Sequence, residues 1–306
     1  MSESTDITLV TGATGAQGGA TAHALLAAGR KVRILTRNTD ATSAREFARQ
    51  GAEVVRGDLD DPSSLPDAVK GAQSVFSVQV PDPTGGDAER RHGFALIDAA
   101  RHAGVQHLVH TSVCEAGRHT GFPRWGSGYW WEKYWTDKWD IEEAVRNAGF
   151  ERWTVLRPAF MMDNFARPKS EFMFPHLRSG RILTALAPAT GMQLVAAADV
   201  GAFACAAIVR PGPFDHANID LAAEKRTMRE VAETLSSVLG KNVEAMAVSP
   251  EEAIQAGLFP GWVRSQEWTN VVGYRADIAA LARYAVPLTP FADWVRQHAS
   301  SIVIDA

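Results

Sequence analysis

A glycine-rich segment near the start of the sequence has the residue types and spacing that bind phosphate. Residues 11–19 read TGATGAQGG and lie between a short apolar run and an alanine-rich helix pattern. Gly12 permits a tight turn, Gly15 lets the backbone approach a pyrophosphate, and Gly18 lets helix and strand pack closely. The phosphates would then bind at the helix amino terminus. This strand–turn–helix context favours a dinucleotide site over a glycine-rich turn without ligand.

A tyrosine and a lysine four residues apart could form a catalytic pair. Tyr134 and Lys138 share one helical stripe with Ile141 and Val145. The stripe directs the lysine toward the packed side, where an unpaired ammonium is costly, so a cofactor ribose is its expected partner. The positive charge would lower the pKa of the tyrosine, which could then act as a general acid. The alternative is that Tyr134 is an aromatic side chain at the wall of a pocket.

The end of the second predicted strand discriminates between two nicotinamide cofactors. An acidic residue about 20 residues past the glycines would bind the ribose 2′-hydroxyl of NAD(H). This strand instead ends Leu35-Thr36-Arg37-Asn38, and the Arg37 guanidinium can bind a 2′-phosphate. The sequence therefore predicts NADP(H), preferred over NAD(H). The alternative is that Arg37 is a solvated arginine in a basic segment.

The elements that must position these residues alternate between strand and helix over residues 1–160. Apolar runs predict strands at residues 7–11, 31–36, 53–56, 75–80, 105–113 and 153–156. Helix patterns cover residues 18–28, 40–50, 87–103 and 131–147. This alternation predicts an α/β fold with a doubly wound parallel sheet.

The rhythm changes after Pro158, where prolines and scattered aromatic residues replace the regular alternation. Residues 192–222 are expected to add a strand and a helix to the first domain, with Asp199 as the N-cap of that helix. Residues 161–191 and 223–306 are expected to form a smaller C-terminal α/β substrate subdomain. Two capping boxes, Thr227-x-x-Glu230 and Ser249-x-x-Glu252, open further helices there.

The sequence resembles the NmrA-like family of atypical short-chain dehydrogenases/reductases over nearly its whole length. The motifs that carry the resemblance are VTGATGAQGG (10–19), VRILTRN (32–38), GAEVVRGDLDD (51–61), GVQHLVHTSV (104–113), DKWDIEEAVRNAG (137–149), TVLRPAFMMDNF (154–165) and LTPFADWVRQH (288–298). The resemblance implies a Rossmann domain that binds a nicotinamide nucleotide. It implies either a reductase or a redox sensor that binds NADP(H) and regulates a partner protein.

The resemblance also implies roles for individual residues. Ser112, at the end of the fifth strand, would hold the substrate oxygen beside Tyr134, and Lys138 would bind the cofactor ribose. Many relatives carry histidine or another residue at the position of Tyr134. The expected cofactor-binding residues are Gly12, Thr14, Gly15, Ala16, Gln17, Gly18, Arg37, Asp58, Leu59, Ser77, Val78, Gln79, Lys138, Pro158, Ala159 and Phe160.

A glycine-containing loop over residues 114–130 precedes the helix of the pair and is crowded with tryptophans. Its length and glycines predict a mobile lid, and its aromatic residues predict a pocket for a flat apolar substrate such as a quinone. The expected substrate-binding residues are Trp125, Trp131, Met161, Asn164 and Trp262. The alternative is that the stripe of Trp131, Trp135 and Trp139 packs against the C-terminal subdomain.

Composition limits the remaining possibilities. The chain has 306 residues, a formal net charge of −4 and two cysteines, which argues against nucleic acid or a membrane surface as a partner and favours a soluble cytoplasmic protein. Nine histidines form no metal-binding pattern, so we expect no metal. Cys114 is expected to be a packed thiol. The sequence thus predicts an NADPH-dependent reductase of a small carbonyl, quinone-like or conjugated acceptor; the alternative is a non-catalytic NADP(H) sensor. A homodimer or a protein partner remains open.

Overall fold

The computed structural model describes residues 6–82 and 84–305, in which strands and helices alternate along most of the chain. The strands are β1 (Ile7–Val10), β2 (Lys31–Thr36), β3 (Glu53–Arg56), β4 (Ala72–Ser77), β5 (His107–Thr111), β6 (Arg152–Pro158), β7 (Phe160–Met161), β8 (Arg181–Thr184), β9 (Gly191–Val195), β10 (Ala217–Leu221), β11 (Glu224–Thr227) and β12 (Glu244–Ala247). The α-helices are α1 (Ala16–Ala27), α2 (Thr42–Arg49), α3 (Leu65–Val69), α4 (Ala88–His102), α5 (Glu132–Asn147), α6 (Ser170–Met173), α7 (Ala197–Val209), α8 (Met228–Leu239), α9 (Pro250–Gln255), α10 (Pro260–Val271) and α11 (Phe291–His298).

Seven parallel strands form the central sheet in the order β10-β6-β5-β4-β1-β2-β3. The strand order reverses between β1 and β4, and ligands bind at such a switch point, outside the carboxyl ends of the strands. Apolar side chains from α1, α2 and α7 cover one face, and those from α3, α4 and α5 cover the other. The predicted doubly wound parallel fold is confirmed.

Helix α7 packs against α1 at a glycine. A Cβ atom at Gly201 would lie 2.5 Å from the backbone carbon of Ala20, so a larger residue would force the helices apart. Strand β10 pairs with β6 at the edge of the central sheet. Both elements come from residues 192–222, but the boundaries of the two predicted domains stay a prediction.

The C-terminal part contains a three-stranded sheet, β11-β9-β7, and a two-stranded sheet, β12-β8. One apolar cluster joins them to α8, α10 and α11. Both predicted capping boxes are confirmed, since Thr227 and Ser249 accept hydrogen bonds from the amides of Glu230 and Glu252.

Several sequence-based boundaries are wrong, including those of the strand predicted at residues 105–113, which spans His107–Thr111. Three of the differences have a clear local cause. Helix α1 begins at Ala16, two residues before its predicted start, because the N-cap is Gly15, which has an extended backbone. Strand β4 ends at Ser77 because the next amide, of Val78, donates to the side chain of Thr11 instead of the sheet. Asp199 is the third residue of α7 and not its N-cap; its carboxylate bonds back to the cap amide and to Thr289.

Candidate functional site

The glycine loop lies between β1 and α1, where three glycines meet. Gly12 has a positive φ of 62°, and a Cβ atom there would lie 2.6 Å from Val78 Cγ1. The amide of Gly15 donates to the Gly12 carbonyl oxygen at 2.8 Å, which closes the turn. A Cβ atom at Gly18 would lie 2.3 Å from the same oxygen. The loop conformation therefore requires Gly12 and Gly18.

The amino terminus of α1 is open to an anion. Its N-cap residue is Gly15, so no side chain caps the helix, and its first turn contains no acidic residue. The first amides of a helix have no intrahelical partner and carry a partial positive charge. These residues fit the pyrophosphate of a dinucleotide, because that group supplies the acceptors and the negative charge that the helix end lacks.

Replacement of Gly18 by alanine is expected to damage this loop. The added methyl group would meet backbone that cannot rotate away, so we expect a loss of about 1–3 kcal/mol in the free energy of unfolding. Gly212→Ala is the control, because a Cβ atom at Gly212 meets nothing within 4 Å. Urea denaturation of both variants tests this. Equal stability of Gly18→Ala and wild type would contradict the close approach of Gly18 to the Gly12 carbonyl oxygen.

The carboxyl ends of β4 and β5 carry a buried polar chain. Gln79 Nε2 donates to Ser77 Oγ at 3.0 Å, and Ser77 Oγ lies 3.2 Å from His110 Nδ1. Burial lowers the pKa of His110 to about 4, so the ring is neutral at neutral pH. Both Ser77 and Gln79 thus have partners within the protein, whereas Val78 lies half-buried beside Gly12. Their predicted contacts with cofactor stay a prediction.

Arg37 lies at the exposed end of β2 and has no hydrogen bond or ion pair to any residue that the structure describes. Its guanidinium is therefore available to an anionic ligand. Asp58 and Leu59 follow β3, half-buried. The Asp58 carboxylate accepts a hydrogen bond from the amide of Asp60, which orders this turn.

Tyr134 and Lys138 share one face of α5, as predicted, but the partner of the lysine is different. Lys138 Nζ lies 5.2 Å from the centre of the Tyr134 ring and donates to Glu89 Oε1 at 2.8 Å. As expected, the Lys138 ammonium has a partner, but that partner is a carboxylate on α4 and not a cofactor ribose. The sequence reasoning missed Glu89.

The expected effect on the acidity of the tyrosine is wrong. Burial, with added repulsion from the negative charge of Glu89, raises the pKa of Tyr134 well above its ordinary value. Glu89 offsets the field of the Lys138 ammonium, so a depressed tyrosine pKa does not follow from the lysine alone. The Tyr134 hydroxyl is therefore protonated at neutral pH.

Ser112 directly follows β5 and is buried. Its hydroxyl satisfies no hydrogen-bond geometry with the described residues, yet it lies close enough to the Glu142 carboxylate to help lower the pKa of that group. The catalytic role of Ser112 stays a prediction. Cys114 is fully buried, and burial raises its pKa well above the ordinary value, as for an unreactive packed thiol.

The loop over residues 114–130 is folded against the C-terminal part. Two guanidinium groups contact the ring of Tyr129, with Arg124 at 4.0 Å and Arg264 at 4.5 Å from its centre. Its hydroxyl donates to Glu267 Oε1 at 2.5 Å. Glu132 accepts hydrogen bonds from two further loop amides. These contacts attach the predicted lid to α10 through Tyr129 and to the start of α5 through Glu132.

The tryptophans divide between core and pocket wall. Trp135 is buried 4.8 Å from Trp268 and belongs to an apolar cluster with Phe122, which matches the packing alternative. Trp131 is half-buried, 5.5 Å from Tyr134. A narrow crevice of about 10 Å³, roughly the space of one water molecule, lies between α5 and α10. It is lined by Trp130, Trp131, Tyr134, Trp135, Gly261, Arg264, Ser265 and Trp268.

Several predicted contact residues lie near the junction with the C-terminal part. Phe160 and Trp262 stack at 4.9 Å and are buried in the C-terminal core, so both pack the subdomain. Met161 and Asn164 are half-buried, as is Trp125. Pro158 and Ala159 connect β6 to β7 and are buried. No contact of these residues with a ligand is established, so their binding roles stay predictions.

Two other features escaped the sequence reasoning. Tyr274 is half-buried, borders three apolar clusters and makes no hydrogen bond to the described residues. Arg157 binds Glu142 through two nitrogens, at 3.0 and 2.6 Å, below the carboxyl end of the sheet. Nothing in the sequence marks these two residues, because the burial of Arg157 against Glu142 and the contacts of Tyr274 with three apolar clusters depend on how separate elements pack.

The chain belongs to the NmrA-like family, whose model matches residues 4–282. A (4-alkanoyl-5-oxo-2,5-dihydrofuran-3-yl)methyl phosphate reductase of Streptomyces griseus is 32% identical, covering 96% of this chain and 98% of its own. An NAD(P)H azoreductase of Xenophilus azovorans is 31% identical over 81% and 79% of the two chains. The structure of a Citrobacter sp. triphenylmethane reductase complexed with NADP(H) matches with a TM-score of 0.75 at 25% identity, covering 96% and 99%.

These relatives support an NAD(P)H-dependent oxidoreductase, which confirms the enzyme class expected from the sequence. Among the described residues, no helix is long and apolar enough to cross a membrane. In the same part of the chain, no group of three or more His, Cys, Asp or Glu side chains could hold a metal ion.

Proposed function

We propose that this protein is an NADPH-dependent reductase of a flat, conjugated acceptor, such as a quinone-like compound or a conjugated carbonyl. The observation that carries the proposal is the position of Tyr134. It forms one wall of the aromatic crevice, and the Lys138 ammonium lies 5.2 Å from its ring. A proton donor, a cation and an apolar surface for a planar molecule thus occur together.

The cofactor would be held by residues at the carboxyl ends of the strands. The open amides of α1 would bind the pyrophosphate, Arg37 the 2′-phosphate, and Lys138 the hydroxyl groups of the nicotinamide ribose. When bound, NADPH supplies a hydride for reduction. Val78, against Gly12, would form part of the groove floor.

The role of Tyr134 would be to donate a proton to the substrate oxygen. The hydroxyl is protonated at neutral pH, which is the form that a reductive reaction uses, and its raised pKa makes it a weaker acid than an ordinary tyrosine. The crevice would have to widen to admit a planar acceptor, and the rings of Trp131 and Trp135 beside Tyr134 would then offer it apolar contacts. The names of the three relatives refer to furanone, azo and triphenylmethane reduction, and this supports a conjugated acceptor.

The preference for NADPH depends on Arg37. Arg37→Ala is expected to weaken NADPH binding about tenfold or more, because a bidentate contact with a phosphate is lost, and to leave NADH binding nearly unchanged. Fluorescence titration with both cofactors measures this. Arg49→Ala, an exposed arginine on α2 paired with Glu46, is the control. Equal losses for NADPH and NADH would contradict the assignment of the 2′-phosphate.

The acceptor class can be tested by anaerobic turnover. NADPH consumption would be measured with quinones, azo dyes, conjugated carbonyls, and small aliphatic aldehydes, which have no planar conjugated surface to pack against aromatic rings. We expect kcat/KM to be highest for the planar conjugated acceptors. A preference for small aliphatic aldehydes would contradict the acceptor class while leaving the enzyme class intact.

A further inference from the structure

A carboxylate from a neighbouring helix holds the lysine of the candidate pair. The Glu89–Lys138 ion pair measures 2.8 Å, and its two side chains are only 3% and 8% exposed. We propose that Glu89 is a positioning residue that fixes the Lys138 ammonium beside Tyr134 and leaves its other hydrogens for the cofactor. The inference rests on the proposed function, because it names the group that orients the lysine of that same site.

The close packing of α4 on α5 brings the two groups together. Gly93 lies one turn after Glu89 on α4, and a Cβ atom at Gly93 would lie 2.7 Å from Ile141 Cγ1. Ile141 lies three residues after Lys138 on α5. A larger residue at Gly93 would push the helices apart. The glycine thus lets the Glu89 carboxylate reach the ammonium.

The number of donors on the ammonium gives the pair its significance. An ammonium has three hydrogen-bond donors, and within the described residues Glu89 is the hydrogen-bond partner of Lys138. Two donors therefore remain for the hydroxyl groups of a bound ribose. A buried ammonium without a counter-charge would be costly, so Glu89 keeps Lys138 in place before any cofactor arrives.

The pair also sets the electrostatics around the tyrosine. The ionisable groups that act on Tyr134 are Glu89, Lys138, Cys114 and Tyr274. Cys114 is a buried thiol and Tyr274 a half-buried phenol, both with raised pKa values and therefore neutral. The charges of Glu89 and Lys138 oppose each other. The positioned lysine can therefore serve the cofactor while Tyr134 stays protonated.

A spectroscopic test of the pair needs no cofactor. The chain has seven lysines, and Lys138→Arg would assign the Lys138 ammonium signal in a 15N NMR spectrum. We expect a signal protected from solvent exchange in the wild type, shifted in Glu89→Gln and lost in Glu89→Ala. Asp140→Asn is the control, because Asp140 forms an exposed α4–α5 ion pair with Arg90 at 3.0 Å. An unprotected wild-type signal, or the same signal in folded Glu89→Ala, would overturn the proposal.

A second test measures NADPH binding and asks whether the conservative variant Glu89→Gln keeps the affinity that Glu89→Ala loses. We expect Glu89→Ala to raise the Kd for NADPH about tenfold, and Glu89→Gln, which keeps an acceptor oxygen, about threefold or less. Equal Kd values for the alanine and glutamine variants, or wild-type affinity in folded Glu89→Ala, would overturn positioning. If the NMR signal responds but Lys138→Ala binds NADPH normally, the proposed cofactor role of Lys138 fails and its fixation by Glu89 stands.

Discussion

Tyr134→Phe is expected to lower kcat about a hundredfold or more, because a positioned general acid contributes about 10²–10⁴ to the rate. The ring, its contacts with Trp131 and Trp135, and the nearby ammonium all remain in the variant. We therefore expect the affinity for NADPH to change little. Steady-state turnover with the best conjugated acceptor, together with a cofactor titration, measures both quantities.

Two further tyrosines make this experiment specific. Tyr284→Phe is the control, because Tyr284 lies in the apolar cluster under α7 and its hydroxyl accepts a hydrogen bond from Arg283. We expect it to leave kcat unchanged. Tyr274→Phe tests the other half-buried hydroxyl near the crevice. If Tyr274→Phe abolishes turnover and Tyr134→Phe does not, Tyr134 only lines the pocket and its assignment as the general acid is wrong.

Glu142→Gln is expected to lower the free energy of unfolding at pH 7 by up to about 3–5 kcal/mol. The substitution removes the hydrogen-bonded counter-charge of the buried Arg157 and leaves that guanidinium with the more distant Asp220, at 3.9 Å. Glu142 is fully buried and also accepts a hydrogen bond from Arg146 at 2.5 Å. Its neighbour on α5, Glu143, offers a matched control because its pair with Arg146 is half-exposed. Glu143→Gln should cost about 1 kcal/mol or less. Urea denaturation of the three proteins gives these differences.

The pH dependence of the Glu142 effect has a definite sign. Burial opposes the ionisation of Glu142, but hydrogen bonds and positive charge from Arg157 outweigh it and hold the pKa below its ordinary value. A depressed pKa stabilises the folded state above the pKa of the unfolded chain, about 4.3, and this contribution is lost as the pH falls through the folded value. The gap between wild type and Glu142→Gln should therefore shrink in acid. A constant gap down to pH 3 would contradict the ion-pair account.

Much of the fold could be predicted from local patterns. The bounds of β2 and β3 agree with those predicted at residues 31–36 and 53–56, because a short apolar run between polar or glycine residues leaves little choice. The shared face of Tyr134 and Lys138 follows from helical spacing alone. The glycine loop was recognisable because its conformation depends on the absence of a side chain at Gly12 and Gly18.

The parts that could not be predicted depend on contacts between distant segments. Glu89 stands among Asp87, Arg90 and Arg91, a polar sequence typical of an exposed helix start. Its burial depends on α5, which begins more than forty residues later. For the same reason the sequence could not decide whether Trp135 packs or binds, since that depends on Trp268 in α10.

The central claim is that this chain reduces a substrate with NADPH bound at the glycine loop. The most direct test is an anaerobic single turnover, in which an equimolar complex of protein and NADPH is mixed with the best conjugated acceptor. We predict that the 340 nm absorbance decays at least as fast as kcat, with one acceptor reduced per NADPH. Persistent absorbance with every acceptor, while NADPH stays tightly bound, would contradict the account and indicate a protein that senses NADP(H) without oxidising NADPH.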